Sequence, residues 1–531
     1  MIIQIIYTLL MVLAALNLCA ELKRDLMMMQ QNSYRTERYM RWLRTSGDTT
    51  SVPRLVGLCV FFASMVVFGG QSWGMALMGA FAGGSCVMLM RARYKKPLVW
   101  TPRARRIYCV AAVLAVVVTA VVLVLGGGET ALTRLFAATV ALTGLYCGSH
   151  VLLMAAVWLL QPVERSINAG YRRDAERILA SMPDLKIIGI TGSYGKTSTK
   201  HYLHRILSEQ FSVTMTPGSF NTTLGVIRTI REHLRPYDEI FIVEMGAKQI
   251  GDIKEICDLV HPQSAIITAV GEQHLESFKT IENVQRTKFE LVDSLPADGF
   301  AVVNNDFPYA ASRPVSNVEA VHYGISSVDG ALWRAVDIVY SADGTDFTVV
   351  GPGVEMRMHT RLVGECNISN LLAAVVMALH YGMTPEKIRF AVADIRQVEH
   401  RLSIKRTPGG VTIIDDAFNS NPTGSAMALD VLGAMKGGRR IVITPGMIEL
   451  GARQEELNRE FGRKIAASAD IAIVVGQYNR DAILAGLSDG DMADAGIILA
   501  DTFAQAQHTL QTMVRQGDTV LYENDLPDTF K

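Results

Sequence analysis

The sequence predicts an α-helical membrane region followed by two α/β units. Three observations support this fold class. Hydrophobic residues make up 49% of the 531 residues, and the apolar excess lies almost wholly before Gln161. After Gln161, strand-like and helix-like runs alternate, a pattern typical of parallel sheets covered by helices. A glycine-containing turn at Gly192–Gly195 joins a short apolar run to a helical pattern, as a phosphate-binding loop requires.

Five apolar segments have nearly the ~20 residues that a bilayer crossing needs: Ile2–Ala20, Leu55–Gly70, Trp73–Met90, Ile107–Leu125 and Leu135–Leu160. Two loops between them carry fourteen lysines and arginines, which places both loops in the cytoplasm. We therefore expect a multi-pass membrane protein with its later domains in the cytoplasm. Two alternatives stay open: Met1–Ala20 as a cleaved signal peptide, although it lacks a basic start, and Leu55–Gly70 as a re-entrant segment.

Charge and cysteine content exclude several function classes. The formal net charge is zero and the basic residues cluster beside the apolar segments, so nothing indicates a nucleic-acid partner. Five of the seven cysteines lie in apolar segments and no C-x-x-C occurs, which argues against a zinc ribbon or a disulfide framework. The apolar segments also lack the carboxylates that mark a transport pathway.

The chain after the membrane region divides into three predicted parts. Residues 163–185 read as a connecting helix, 186–406 as a parallel α/β domain with an antiparallel extension over Ser312–Leu362, and 407–531 as a second α/β domain. Thr-Pro-Gly-Gly near Arg406–Gly410 marks the boundary between the two domains. The strands predicted in the second are Val411–Asp415, Arg440–Thr444, Ile471–Val475, Gly496–Leu499 and Thr519–Tyr522.

The stretch Lys186–Lys200 has the order of a phosphate cradle. A strand leads into a turn in which Gly192 and Gly195 let backbone N–H groups close on phosphate oxygens. Lys196 is expected to reach the β- and γ-phosphates and Thr197 a Mg²⁺ ion. The spacing departs from the strict G-x-x-x-x-G-K-[ST] motif, and the alternative is a glycine-rich turn with a solvated lysine.

Further stretches along the chain contain side chains that could bind ligands or take part in catalysis. The polar loop Thr216–Gly225 is followed by carboxylate and imidazole groups just after two strands, where open α/β sheets bind ligands. The candidate residues are Glu244, His274, Lys288, Asn367, Asn370, Arg401 and Asp416. Each has a structural alternative: a solvated strand end, a surface loop, an exposed helix lysine or a helix cap. Asp415 and Asp416 are not distinguishable by pattern alone.

Read together, these stretches resemble the Mur ligase family of ATP-dependent amide-bond-forming enzymes, and within it the branch that joins D-alanyl-D-alanine to a UDP-N-acetylmuramoyl tripeptide. The resemblance runs from Lys186 to about Gly451, where Ile441–Gly451 is its last sharp block. It implies a P-loop central domain, a Rossmann-like C-terminal domain and a reaction through an acyl phosphate. The implied substrates are ATP, a muropeptide that is UDP- or polyprenyl-linked, and an amino acid or dipeptide, with membrane lipid as a further partner.

The resemblance also implies roles for individual residues. Lys196, His274 and Lys288 are the implied catalytic residues, and Lys288 is implied to be carbamylated. Thr197 and Glu244 are implied to bind one Mg²⁺ and His274 a second. The implied nucleotide contacts are Gly192, Ser193, Gly195, Lys196, Thr197, Ser198, Asn367, Asn370, Arg401 and Asp416.

Three departures from the family pattern leave the acceptor and the amine open. Membrane segments stand where relatives have a UDP-binding domain, Cys366 stands where a histidine is common, and Tyr522–Asp528 replaces a basic C-terminal segment. Two other functions are weighed. One is a P-loop ATPase coupled to transport, and the other is a ligase similar to folylpolyglutamate synthase.

Overall fold

The computed structural model describes all residues except 67–71, 93, 95, 127, 326–329, 342–343, 419 and 526–531. Parts of several predictions lie outside the described residues: the end of the second apolar segment, two basic loop residues, six residues of the extension over Ser312–Leu362 and the last residues of the Tyr522–Asp528 segment. The chain forms two compact units, one of residues 1–169 and one of residues 170–525.

The first unit is helical. Its helices are α1 (Ile2–Gln31), α2 (Thr36–Thr45), α3 (Val52–Val66), α4 (Ser72–Arg91), α5 (Pro102–Gly126), α6 (Ala131–Cys147) and α7 (Ser149–Ala180), the last of which continues into the second unit. Pro162 lies inside α7. A proline has no backbone N–H to donate, yet the helix continues past it. The predicted connecting helix is therefore the second half of α7 rather than a separate element.

Three of these helices have the length and composition of membrane spans, namely α1, α4 and α5. Helices α6 and α7 pass that test only together and are bent by 79° at their break. The break falls at Gly148, whose N–H donates the last hydrogen bond of α6, to Gly144 O at 3.1 Å. Because the chain bends there, the predicted span Leu135–Leu160 is not one straight helix. Helix α3 has only 15 described residues. The count of five crossings stays a prediction.

An ionic cluster lies inside the helical unit. Arg54, 1% exposed, donates to Glu21 Oε1 at 2.5 Å, to Asp25 Oδ1 at 3.0 Å and to Ser149 Oγ at 2.9 Å. His150 Nδ1 lies 3.2 Å from Asp25 Oδ2. These residues come from α1, α3 and α7, so the cluster joins three helices. The first apolar segment was expected to end at Ala20, but α1 continues through the charged residues because they are paired inside the bundle.

The first sheet of the second unit has nine strands. They are β1 (Lys186–Thr191), β2 (Val213–Met215), β3 (Ile240–Glu244), β4 (Ser264–Ile267), β5 (Phe300–Asn304), β6 (Glu319–Gly324), β7 (Trp333–Ser341), β8 (Gly344–Gly351) and β9 (Val354–Thr360). Their order is β2-β3-β1-β4-β5-β6-β7-β8-β9. Pairing is parallel from β2 to β7 and antiparallel over β7-β8-β9. This confirms the predicted parallel sheet and an antiparallel extension, but the extension begins at β7, because β6, which lies within the predicted Ser312–Leu362, pairs parallel on both sides.

Helices cover both faces of this sheet. They are α8 (Lys196–Leu207), α9 (Thr223–Glu232), α10 (Asp252–Val260), α11 (Leu275–Phe278), α12 (Ile281–Asp293), α13 (Pro308–Ala311), α14 (Glu365–His380) and α15 (Pro385–Ala393). Every residue of β3 is buried, as a parallel strand covered on both faces requires. One hydrophobic core packs around α8 and α14 and a second around α10 and α12.

The second sheet has six strands. They are β10 (Ser403–Arg406), β11 (Thr412–Asp416), β12 (Arg440–Thr444), β13 (Ile471–Val475), β14 (Ile497–Ala500) and β15 (Thr519–Glu523), in the order β10-β11-β15-β12-β13-β14. Its helices are α16 (Pro422–Ala434), α17 (Gln454–Ser468), α18 (Arg480–Asp489) and α19 (Phe503–Met513). All strand pairs are parallel except β10-β11. Each predicted strand of this half is present within one residue of its expected bounds.

The boundary between the two halves differs from the prediction. Strand β10 pairs with β11 in the second sheet, so Thr-Pro-Gly-Gly is the turn of a hairpin within that sheet. The second half therefore begins before Ser403 rather than at residue 407. Glycine and proline mark the turn correctly, but a turn between domains and a turn within a hairpin have the same composition.

Candidate functional site

The predicted cradle lies between β1 and α8. Gly195 has φ +81°, in the left-handed region, and a Cβ there would clash with the Asn370 side chain, so this position requires glycine. Ser193 anchors the loop, since its Oγ donates to Gly271 O at 2.9 Å and accepts from Gly271 N at 3.0 Å. Lys196 Nζ donates to Gly192 O at 2.6 Å. The lysine thus folds back over a loop whose N–H groups and helix N-terminus suit an anion.

A carboxylate stands beside the cradle at the end of β3. Glu244 is 1% exposed, and its Oε1 accepts from Thr197 Oγ1 at 3.3 Å and from Asn221 Nδ2 at 3.0 Å. Strand register explains the proximity, because Ile190 at the end of β1 pairs with Glu244. The solvated strand end is therefore excluded. A hydroxyl and a carboxylate oxygen this close together suit Mg²⁺, which takes oxygen ligands.

Lys200 belongs to this site although the sequence analysis assigned it no role. Its ammonium, fully buried, donates to Glu244 Oε2 at 2.9 Å and to Gly218 O at 2.5 Å. Burial alone would raise the pKa of Glu244, but the ammonium groups of Lys200 and Lys196 hold it below its ordinary value. The sequence contains one signal for the role of Lys200, namely its spacing. A residue four positions after Lys196 lies on the same face of a helix.

His274 and Lys288 lie near the cradle. Burial lowers the pKa of Lys288 well below its ordinary value, and the charge of Lys196 lowers it further. Since Lys288 is 2% exposed on α12, it is not an exposed helix lysine. His274 is half-buried with φ +54°, and its Nδ1 is paired with the Glu449 carboxylate. Burial lowers the pKa of His274, which favours the neutral imidazole that metal ions bind.

The two asparagines on α14 face α8. Asn367 Oδ1 accepts from Tyr202 OH at 2.8 Å, and Asn370 Oδ1 accepts from Thr199 Oγ1 at 3.2 Å. The helix-cap alternative is excluded, because Gly364 is the N-cap of α14 and makes no side-chain cap bond. The structure thus brings both asparagines to the cradle, where protein hydroxyl groups hold their amides.

Arg401 and Asp416 approach the cradle from the second half. Arg401 NH2 donates to Thr197 Oγ1 at 3.3 Å, and the guanidinium lies 4.2 Å from the centre of the Phe418 ring. Asp416 accepts from Leu402 N at 2.9 Å, and burial raises the pKa of Asp416 to about 6. Asp415 instead pairs with His400 at 2.8 Å. The two adjacent carboxylates, which the sequence left undistinguished, therefore differ in their surroundings.

Some of these groups line an open cavity of about 120 Å³. Its lining includes most of the predicted nucleotide contacts: Gly195, Ser198, Asn367, Asn370, Arg401 and Asp416. Cys366 also lines it, and burial raises the pKa of that thiol to about 12, so it is not a reactive thiolate. Gly195 of the cradle turn and Arg401 thus border the same cavity, and an arginine beside a glycine turn suits a phosphate group.

Comparison with known proteins gives two family matches. Residues 190–378 match the Mur ligase middle domain and residues 400–522 match the Mur ligase, glutamate ligase domain. Among solved structures, MurF from Acinetobacter baumannii is 26% identical with a TM-score of 0.61, over 67% of this chain and 77% of that one. MurF ligase from Thermotoga maritima in complex with ADP is 25% identical with a TM-score of 0.60, over 67% and 80%.

Curated relatives agree with these matches. The UDP-N-acetylmuramoyl-tripeptide--D-alanyl-D-alanine ligases of Bacillus subtilis and Escherichia coli are each 29% identical, over 53% and 55% of this chain. The chain spans only 60% and 65% of their lengths. The ligase of the same name from Mycobacterium tuberculosis is 31% identical over 64% of this chain and 70% of its own length. The chain belongs to the Mur ligase family.

Proposed function

We propose that this chain is an ATP-dependent carbon–nitrogen ligase of peptidoglycan precursor synthesis. It joins an amino acid or dipeptide to the carboxylate of a muropeptide. The observation that supports this most is the convergence of Lys196, Thr197, Glu244 and Arg401 on one cradle, with His274 and the buried amine of Lys288 close by. Relatives that match 53% and 64% of this chain are named for the addition of D-alanyl-D-alanine.

The reaction we propose has two transfers. A carboxylate oxygen of the muropeptide forms a bond to the γ-phosphorus of ATP, and the bond from that phosphorus to the ADP oxygen breaks. The amine nitrogen then bonds to the acyl carbon of the acyl phosphate, inorganic phosphate leaves with the electron pair of the C–O bond, and the nitrogen loses a proton. Lys196 and Arg401 stabilise the charge that develops on the phosphoryl oxygens.

The residues present fit two divalent cations. Thr197 and Glu244 would hold one Mg²⁺ and His274 a second, and the ions would supply neutralisation of charge between the phosphates and the carboxylate. Burial lowers the pKa of Lys288, which favours the neutral amine that a reaction with CO₂ requires. A C–N bond forms, a proton is released and the resulting carbamate replaces a cation with an anion near the second ion.

We also propose that the acceptor is presented at the cytoplasmic face of the bacterial membrane. The helical unit stands where the family resemblance implies a UDP-binding domain. Its two predicted cytoplasmic loops carry thirteen basic residues besides Arg54, which is buried and paired inside the bundle, and basic residues of this kind attract pyrophosphate and anionic head groups. A polyprenyl-pyrophosphate-linked muropeptide meets these conditions. The alternative is that the helices only anchor the enzyme and the acceptor is UDP-linked.

Identification of the product tests both the proposed ligase activity and the proposed membrane-linked acceptor. Full-length protein in nanodiscs receives ATP, D-alanyl-D-alanine or single amino acids, and one muropeptide carried either on UDP or on a polyprenyl pyrophosphate. Mass spectrometry identifies the amide, and Lys196→Ala should lower its formation by roughly 100-fold or more. Near-normal turnover of folded Lys196→Ala refutes the nucleotide assignment. Equal kcat/KM on both carriers refutes the membrane-linked acceptor alone.

A further inference from the structure

One contact joins the two halves of the second unit beside the proposed metal site. It lies between the segment 445–453, which follows β12, and the loop 271–279, which follows β4. Two residues of this contact, Glu449 and His274, have left-handed backbones, with φ of +62° and +54°. This conformation is unfavourable for a non-glycine residue, and it persists where surrounding contacts fix it.

Four interactions hold this contact together. Glu449 O accepts from Glu276 N at 3.1 Å, and the Glu449 carboxylate pairs with His274 Nδ1. A Cβ at Gly451 would lie 3.2 Å from the Glu276 backbone, so the two segments touch without room for a side chain. Arg453 pairs with Glu272 at the edge of the contact. Backbone and ion-pair contacts together therefore bring the Glu449 carboxylate to the imidazole.

The pairing has a consequence for the imidazole. A histidine that binds a metal through one ring nitrogen ordinarily donates its other N–H to a carboxylate, which fixes the tautomer and the ring orientation and makes the ligand more basic. Glu449 occupies Nδ1, so Nε2 is the nitrogen that remains for a metal ion. Ile441–Gly451 was recognised in the sequence as a sharp block, but none of its residues had been given a role.

We propose that Glu449 is a positioning residue for the metal site, supplied by the second half to orient the His274 ligand of the first. The inference rests on the proposed function, because His274 has a metal to bind only in that reading. Because Glu449 comes from the second half, the metal site is complete only while segment 445–453 contacts the loop after β4. Assembly of the two halves and affinity for the ion are thereby linked.

Binding of Mn²⁺ tests this proposal without any muropeptide. Free Mn²⁺ is measured by electron paramagnetic resonance during titration of the full-length, detergent-solubilised protein with saturating ADP, and ADP affinity is measured by calorimetry. Glu449→Gln keeps the size of the side chain and removes its charge, Glu449→Asp keeps the charge, and Arg453→Ala is the matched control, because its ion pair crosses the same contact without touching His274. Thermal unfolding confirms that each variant is folded.

We expect Glu449→Gln to weaken one Mn²⁺ site by roughly 10- to 100-fold, the usual effect of losing such a partner. ADP affinity should stay unchanged, Glu449→Asp should restore part of the Mn²⁺ affinity, and Arg453→Ala should bind Mn²⁺ normally. Normal Mn²⁺ affinity in Glu449→Gln overturns the proposal, as does an equal loss in Arg453→Ala, which would assign the effect to docking alone. If no muropeptide yields an amide, the proposed function is refuted, whereas the measured Mn²⁺ affinities remain valid and distinguish the two outcomes.

Discussion

Replacing Lys200 with methionine tests the buried ion pair behind the cradle. Lys200 and Glu244 are 0% and 1% exposed in their side chains and lie 2.9 Å apart. Lys200→Met leaves the Glu244 carboxylate buried without this cation and Gly218 O without its donor. Removing one partner of a buried pair costs about 3–5 kcal/mol. For a domain of this size that corresponds to a fall in Tm of roughly 6–20 °C.

Thermal unfolding of four proteins separates the energy of the interaction between Lys200 and Glu244 from the effect of each residue alone. They are the wild type, Lys200→Met, Glu244→Gln and the double variant, each as full-length protein in detergent without nucleotide. Because the charge left behind causes most of the loss, the double variant should be less destabilised than the sum of the two single variants. The exposed pair Lys254–Asp258 has a similar distance of 2.8 Å, so Lys254→Met is the matched control and should change Tm little.

Two results would refute this reasoning. Additive losses in the double variant would mean that Lys200 and Glu244 do not interact in the folded protein. Equal shifts for Lys200→Met and Lys254→Met would mean that burial is not what makes the pair important. Either result would also remove the physical reason for an ionised Glu244 before any metal binds.

Three further predictions concern other groups. Lys288→Ala should be largely inactive in amide formation and partly rescued by short carboxylates in solution, whereas full activity would make Lys288 structural. Burial lowers the pKa of Lys196 to about 8, so the nucleotide-free protein loses this charge as the pH rises through that value. ADP binding above it should take up a proton, and calorimetry in buffers of different ionisation enthalpy that shows no uptake contradicts this. Arg54→Leu should destabilise the helical unit by about 3–5 kcal/mol, and an unchanged Tm would contradict the importance of its ion pairs.

The sheets were predictable because their signals are local. Buried parallel strands such as β3 and β13 are short apolar runs bounded by turns, and length and composition identify them. Strand β2, with three half-buried residues, lacks such a run and was not predicted. The hairpin β10-β11 was misread as a domain boundary, since its turn sequence does not say which sheet the preceding strand joins.

The candidate site was predictable where a residue follows a strand or a glycine turn. Glu244 and His274 were found in this way, because strand ends of a parallel sheet meet at one edge. Lys200 and Glu449 were not assigned roles, because their function depends on partners 44 and 175 positions away. Long-range pairing of this kind is set by the fold and leaves no local pattern.

The helical unit shows how charge pairing changes the limits of an apolar segment. Helix α5 leaves Val116 68% and Leu125 82% exposed, the kind of surface that a lipid phase covers. Helix α1 is also apolar at its start, yet it continues past Ala20, where Glu21 and Asp25 pair with Arg54. Hydropathy treats each charge as the end of a segment, because an isolated ion is costly in an apolar medium. Ions that neutralise one another remove much of that cost, so the helix continues and its ion pairs tie α1 to Arg54 of α3.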